Sequence, residues 1–476
     1  MKPTDRSEMA FHQRVSRRQW LRRAGMGAGM VGLMPLLEQD LGASQDGRAM
    51  SARATDFPAS ARRIIWLFMH GGPSQIDTFD PKPALARYEG QAPPDSVRDL
   101  KTQFTEVAKQ KLMASQFSFR TCGQSGIEIS DGFRHLQNHA DDLTVIRSCH
   151  HEIFNHTPGI WFLNTGHDRM GRPSMGSWLS YGLGSEAENL PGFVVMNDGA
   201  LKPGPGVWGS GFLPATFQGT QLNMNGGDAI PNLERPSVFR GEDQRAMLNF
   251  VQRLNRKHSH DRGVATELDA RIASYELAFR MQRAAPEAVD LSREPNSIRK
   301  LYGEGFGEMC LTARRLVERG VRMVQIYHGC NGQGWDTHKD SHNQHMSLIQ
   351  RIDQGCAALL TDLKSRGLLD DTLVIWSGEF GRTPTTEGEA GRDHSPYGFS
   401  MWMAGGGVKG GQVIGATDEL GFRAVQDPLG VHDLHATLLK LMGIDHEALT
   451  WFHQGRDMRL TDVFGDHDIA DRLTSG

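Results

Sequence analysis

Cysteine is scarce in this chain: five residues, Cys122, Cys149, Cys310, Cys330 and Cys356, an odd number with no CxxC spacing. That excludes a disulfide scaffold or a cysteine-ligated zinc ribbon as the organising element, since at most two bridges could form. Long apolar runs are missing as well. None reaches the roughly 20 residues that a membrane span needs, so no stable span is expected. An excess of positive charge is also lacking: 52 Lys and Arg stand against 56 Asp and Glu, a formal net charge of −4 with a pI near 6.6. Bulk electrostatics therefore give no reason to expect a nucleic-acid partner. No internal repeat is visible, and the glycine-rich run from Gly405 to Gly411 lacks the spacing of a P-loop and opens no helix. What is present, 38% hydrophobic and 23% charged residues over 476 positions, is ordinary globular material and more than one typical core requires.

The N-terminus reads as an address. Ser16-Arg17-Arg18-Gln19-Trp20-Leu21-Arg22, followed by the weakly apolar stretch from Ala24 to Leu37, resembles a twin-arginine export signal. Residues 1–43 are expected to be a signal region recognised by the twin-arginine export machinery, with Leu41-Gly42-Ala43 as a poor cleavage site. The protein would then fold and load any metal in the cytoplasm before reaching the periplasm or the exterior.

From about Ala61 the pattern alternates strand and helix. Ile64 to Met69, Leu143 to Arg147, Val321 to Tyr327 and Leu373 to Trp376 read as buried strands. Ser130 or Asp131 could cap a helix running toward Asp141, Phe306 to Arg319 reads as a helix stopped by Gly320, and His345 to Arg366 carries Ile349, Ile352, Cys356, Leu359 and Leu363 on one face. Strand, helix, strand predicts an α/β fold with a central, mainly parallel sheet. Two stretches interrupt it. Residues 191–236, rich in Gly, Pro and Asn, are expected to form an irregular excursion over the mouth of the sheet. Residues 244–286 read as a helical insertion that Pro286 ends. Residues 61–465 form the main domain, and 466–476 a tail.

Metal-loving side chains follow each of these strands. His70 and Asp77 come after the first, the His150, His151 and His156 group after the second, Asp336, His338 and His342 after the third, and Glu379 after the fourth. Ligands in open α/β sheets gather outside the carboxyl ends of the strands, so these groups are expected to meet there. Imidazole together with carboxylate is what zinc and similar cations prefer. Plainer readings stand beside this one. His70 could cap a strand end, Asp77 could close an Asx turn, Glu379 and Arg382 could be a local ion pair, and Asp393 could orient His394 rather than ligate.

His70-Gly71-Gly72-Pro73-Ser74-Gln75-Ile76-Asp77, Ser377-Gly378-Glu379-Phe380-Gly381-Arg382-Thr383-Pro384, Gly391-Arg392-Asp393-His394 and Asp433-Leu434-His435-Ala436-Thr437 together resemble the exported bacterial family called domain of unknown function 1501. That family is placed in the alkaline phosphatase and sulfatase superfamily. The resemblance implies an alkaline phosphatase-like three-layer sandwich, divalent cations (Zn, Ca or Mn) at strand ends, and in-line displacement at phosphorus or sulfur. It maps metal ligands onto Asp336, His338, Glu379, His394, Asp77, His70 and Asp393. Two departures matter. Phe380 stands where a phosphatase has His and a sulfatase Asn, and His156-Thr157-Pro158-Gly159 replaces the sulfatase Cys-x-Pro-Ser-Arg. A formylglycine nucleophile is therefore not available, which leaves His156 as ligand, general base or phosphorylated residue, Thr157 as a substitute hydroxyl, and Arg382 as a clamp on the anionic ester. The expected activity is hydrolysis of sulfate or phosphate esters, with a sulfated glycan among the partners. The alternative is a degenerate member that binds an anionic glycan or a protein without turnover.

Overall fold

The computed structural model describes residues 51–224, 229–230, 233, 241–262, 266–332 and 334–474; the twin-arginine motif lies outside them. Nine strands form the main sheet: β1 (Arg63–Met69), β2 (Thr144–His150), β3 (Phe193–Asn197), β4 (Thr220–Leu222), β5 (Met323–His328), β6 (Thr372–Ser377), β7 (Phe399–Ala404), β8 (Gln412–Ile414) and β9 (Leu429–Gly430). The spatial order is β8-β2-β7-β6-β1-β5-β3-β4, with β9 beside β2. All pairings are parallel except those of β7 with β2 and β6.

The central strand shows why the chain folds this way. Ile64, Trp66 and Phe68 enter one hydrophobic core while Ile65, Leu67 and Met69 enter the other, and all six are fully buried. A strand covered on both faces has no polar side to show, hence the unbroken apolar run. Burying each such side chain contributes about 1.5–3 kcal/mol, which fixes the strand at the centre. One face is covered by α6 (Phe306–Glu318) and α7 (Ser341–Ser365), whose Ile349, Ile352, Cys356, Leu359 and Leu363 are completely buried. The other is covered by α1 (His156–Thr165), α2 (Met175–Leu183) and α8 (Val431–Leu441). The result is the expected mixed α/β fold. All five cysteines are buried and free.

Three local expectations need correction. The stretch before Asp141 is a 3-10 segment, Leu136–Asp142, and not an α-helix from Ser130; Asp353 accepts from the backbone N–H of His135 and Leu136 and so caps a short turn. The stretch 191–236, read as irregular, supplies β3 and β4, which extend the sheet by pairing with β5 and with each other. The insertion is two helices, α3 (Gly241–Arg262) and α4 (Thr266–Val289), with α5 (Asn296–Tyr302) after them. Pro286 lies inside α4 and does not end it. The Arg315 guanidinium, donating to the carbonyls of Glu287 and Ala288, satisfies the last turn. Among the described residues no helix is long and apolar enough to cross a membrane.

Candidate metal centre

The loops that leave the adjacent strands β6, β1 and β5 meet at their carboxyl ends, and the start of α1 joins them. From β6 the chain runs through Glu379 into a two-residue strand, Gly381–Arg382, that pairs antiparallel with His394–Ser395 and sets His394 opposite Arg382. From β1 the chain turns at Gly71, where φ is +115° and a Cβ would stand 2.5 Å from the backbone nitrogen of Asp336, so only glycine permits the approach of the two loops.

Asp336, His338 and His394, expected together from sequence, are brought together, and His156 completes the group. The Oδ1 atom of Asp336 lies 2.9 Å from His156 Nε2, 2.7 Å from His338 Nε2 and 3.0 Å from His394 Nε2. The Nε2 atoms of His338 and His394 are themselves 3.0 Å apart. Asp336 is also paired with Arg382, at 2.9 Å.

The far side of each ring is already engaged. His156 Nδ1 faces Glu379 Oε1 at 2.6 Å, His338 Nδ1 faces Glu387 Oε2 at 2.5 Å, and His394 Nδ1 faces the Phe154 carbonyl at 2.7 Å. Carboxylates and carbonyls accept only, so each Nδ1–H donates, and a ring in its neutral form turns an Nε2 lone pair inward. Three lone pairs aimed at one anionic oxygen repel, which the Arg382 guanidinium, a proton on one ring or a bound cation offsets. The Nε2 of His156 is buried against Asp336. Carboxylate or carbonyl behind imidazole is the arrangement that fixes metal-ligating histidines, and the four side chains fit a divalent cation.

The charges point the same way. Burial would raise the Asp336 pKa, but the three histidines and Arg382 hold it far below the carboxylate range. Burial would lower that of His338, yet hydrogen bonds to Asp336 and Glu387 raise it to about 9; His394 is pushed down to about 4 by burial and by the Arg382 charge. Without a cation, a proton on His338 and the Arg382 guanidinium offset the anionic Asp336.

The remaining expected residues are placed otherwise. Glu379, fully buried, touches the cluster only through His156, while its two oxygens also accept from the Gly71 N–H at 2.9 and 3.2 Å. Asp77 lies apart from it: Oδ2 accepts from Arg392 Nε at 2.8 Å and from the Ser74 hydroxyl at 2.5 Å. Asp393 lies with His338 and Glu387 in a second group that could hold a metal ion, and it ties down a neighbouring loop, accepting from Phe104 N, Thr105 N and the Thr105 hydroxyl through Oδ2 and from His394 N through Oδ1. Arg382 is completely buried and donates to the carbonyls of Gly71, Gly72, Trp335 and Arg392 besides Asp336, so it holds the loops together and has no face toward a substrate. His70 lies beside His156, ring centroids 6.2 Å apart, with both nitrogens buried and unpartnered. Thr157 is exposed in the first turn of α1.

Three residues escaped the sequence reading. Glu387 orients His338; Lys202, from the segment leading out of β3, brings Nζ within 3.4 Å of Asp336 Oδ2; and Phe104, 62% exposed, sets its ring against His338 and His394 at 5.0 and 6.0 Å. All three sit in loops without periodicity, and only the Gly391-Arg392-Asp393-His394 motif after Glu387 points to a site nearby.

No curated protein matches the sequence. Among solved structures, similarity is found to a sulfatase from Pseudoalteromonas sp. (12% identity, 86% of this chain and 73% of that one, TM-score 0.35). It is also found to a lipoteichoic acid synthase from Listeria monocytogenes (9% identity, 87% and 79%, TM-score 0.37). A third is the alkaline phosphatase of the Antarctic bacterium TAB5 (12% identity, 81% and 98%, TM-score 0.33). Residues 61–473 match the profile of the family described as "Protein of unknown function (DUF1501)", and the protein belongs to that family.

Proposed function

We propose that the protein is an exported, metal-dependent hydrolase of sulfate or phosphate esters, acting on an anionic ester such as a sulfated glycan. One observation carries the reading: the Nε2 atoms of His156, His338 and His394 converge on Asp336 Oδ1 while each Nδ1 is engaged behind. A divalent cation held by these four side chains would supply Lewis acidity toward the oxygens of the ester. Three nitrogens and one oxygen suit zinc or manganese better than calcium, which takes oxygen ligands. Around it, Glu379 and Glu387 fix two rings, Lys202 attracts the anion, and the first turn of α1 offers backbone N–H groups. Phe380, its ring centroid 4.6 Å from that of His394, and Phe104 pack against the rings of the cluster. Thr157 is the exposed hydroxyl at that turn and the candidate nucleophile. Export rests on the Ser16 to Arg22 motif.

A second reading, binding of an anionic glycan or protein without turnover, is favoured by one finding: the Thr157 hydroxyl, a described residue, makes no hydrogen bond to any base. Metal analysis of protein purified after natural export separates the two. Stoichiometric zinc or manganese with turnover of an aryl sulfate or aryl phosphate, both lost in His338→Ala and His394→Ala, supports the hydrolase. Absence of metal from the wild type with intact affinity for a sulfated glycan overturns it.

A further inference from the structure

A second concavity lies behind the loop that carries Trp335. It is open to solvent and offers about 860 Å³ between α7, the start of α6 and the carboxyl end of β5, and none of the four cluster side chains lines it. One loop touches both. Trp335 Nε1 donates to Nδ1 of His328, which lines the cavity, at 3.2 Å, and the residue after Trp335 is Asp336 of the cluster.

The floor is one face of α7. Asn343, Gln344, Ser347, Gln350, Arg351 and Gln354 recur every three to four residues, the spacing that aligns side chains along a helix. Exposed helix faces usually carry charges of both signs; this one carries four amides, a hydroxyl and a single guanidinium. Among the described residues, the side chains of Ser347, Gln350 and Arg351 make no hydrogen bond or ion pair. Across from them stand Glu304, Glu308 and the Phe306 ring, which meets His328 edge-on at 5.2 Å.

This lining selects its occupant by chemistry. Tyr302, Phe306, Met309 and Leu348 give the cavity an apolar side as well, but a wholly apolar ligand would strip water from the amides without replacing it. A polyanion would meet two glutamates and Asp198 against one guanidinium. A neutral polyol suits it, because hydroxyls donate and accept in turn as side-chain amides do, and the volume falls within the roughly 300–1,000 Å³ of ligand sites. We propose that this cavity is a saccharide subsite, holding neutral sugar residues of the same chain whose ester is cut at the cluster; the second half of that statement rests on the hydrolase reading.

Saturation-transfer NMR tests it, with neutral hexasaccharides from dextran, agarose, xylan and mannan as probes on the full chain. At least one probe takes up saturation from the wild type. Its affinity falls at least tenfold in Ser347→Trp, which fills the cavity, and severalfold in Gln350→Ala, a milder change should the tryptophan variant not fold, while metal content stays unchanged in both. No signal from any of the four, or binding that neither substitution weakens, overturns the subsite. The two readings fail separately: sugar binding by a wild type that takes up no metal would sink the hydrolase and leave the subsite, and metal-loaded, active protein blind to all four probes would do the reverse.

Discussion

His156 Nδ1 and Glu379 Oε1 are 2.6 Å apart in a fully buried pair, so the carboxylate fixes which nitrogen of that imidazole faces Asp336. Burial alone would raise the Glu379 pKa, but His156 holds it below the usual range, and the group stays anionic behind the ring. Removing the charge and keeping the shape, Glu379→Gln, is expected to weaken zinc affinity about 10- to 100-fold with the far-ultraviolet circular dichroism unchanged. Competition with a chromophoric chelator measures it; an unchanged dissociation constant would detach Glu379 from the centre.

Asp77 and Arg392 predict the opposite separation. Both are buried, the carboxylate is paired at 2.8 Å, and neither touches the cluster. Asp77→Ala leaves the guanidinium buried without its partner and should cost about 3–5 kcal/mol in urea unfolding. Metal stoichiometry of the folded fraction should remain that of the wild type. Loss of metal from folded Asp77→Ala protein would return Asp77 to the ligand set.

Lys202 is 44% exposed and sits at the solvent side of Asp336, where solvent screens it. Lys202→Ala should therefore raise KM for an aryl sulfate by no more than about fivefold, with kcat nearly unchanged, and the difference should shrink in high salt. Steady-state kinetics at two ionic strengths decide it. A collapse of kcat would assign the lysine a role in the chemistry itself.

Acid sensitivity follows from His435 in α8. It is fully buried, its Nε2 faces the Leu163 carbonyl at 2.9 Å, its Nδ1 has no partner, and burial pushes its pKa down from 6.5 to about 3. The unfolded chain therefore binds a proton that the folded one refuses. Stability from this group is intact above pH 6.5 and is lost as pH falls from there toward 3, by about 1.4 kcal/mol per pH unit. His435→Gln, which can still donate to that carbonyl, should flatten the fall in urea midpoint between pH 6 and 4 by about one proton relative to wild type. Parallel curves for the two proteins would show that His435 does not carry the effect.

The parts legible in the sequence were those written in periodicity or proximity. The run from Ile64 to Met69 announces a doubly covered strand because both of its faces are apolar, and the α7 stripe announces its buried side in the same way. Asp336 and His338 were found because they are close together after a strand. Asp77 reads as a ligand in the sequence because its partner Arg392 lies 315 positions away and no local pattern reveals it. Arg382 was read as a substrate clamp for a similar reason: its carbonyl partners come from backbone, which carries no residue code. Glu387, Lys202 and Phe104 were invisible because loop residues meet the centre through tertiary placement alone.

The Arg382 guanidinium grips carbonyls that follow β1 and β5 while belonging itself to the segment after β6. Three neighbouring strands, far apart along the chain, must all be seated before that knot can be tied. Half-finished molecules hence lack the converged His156, Asp336, His338 and His394, and on the metal-binding reading the holo fraction of a preparation becomes a direct gauge of how much of it has reached its final shape.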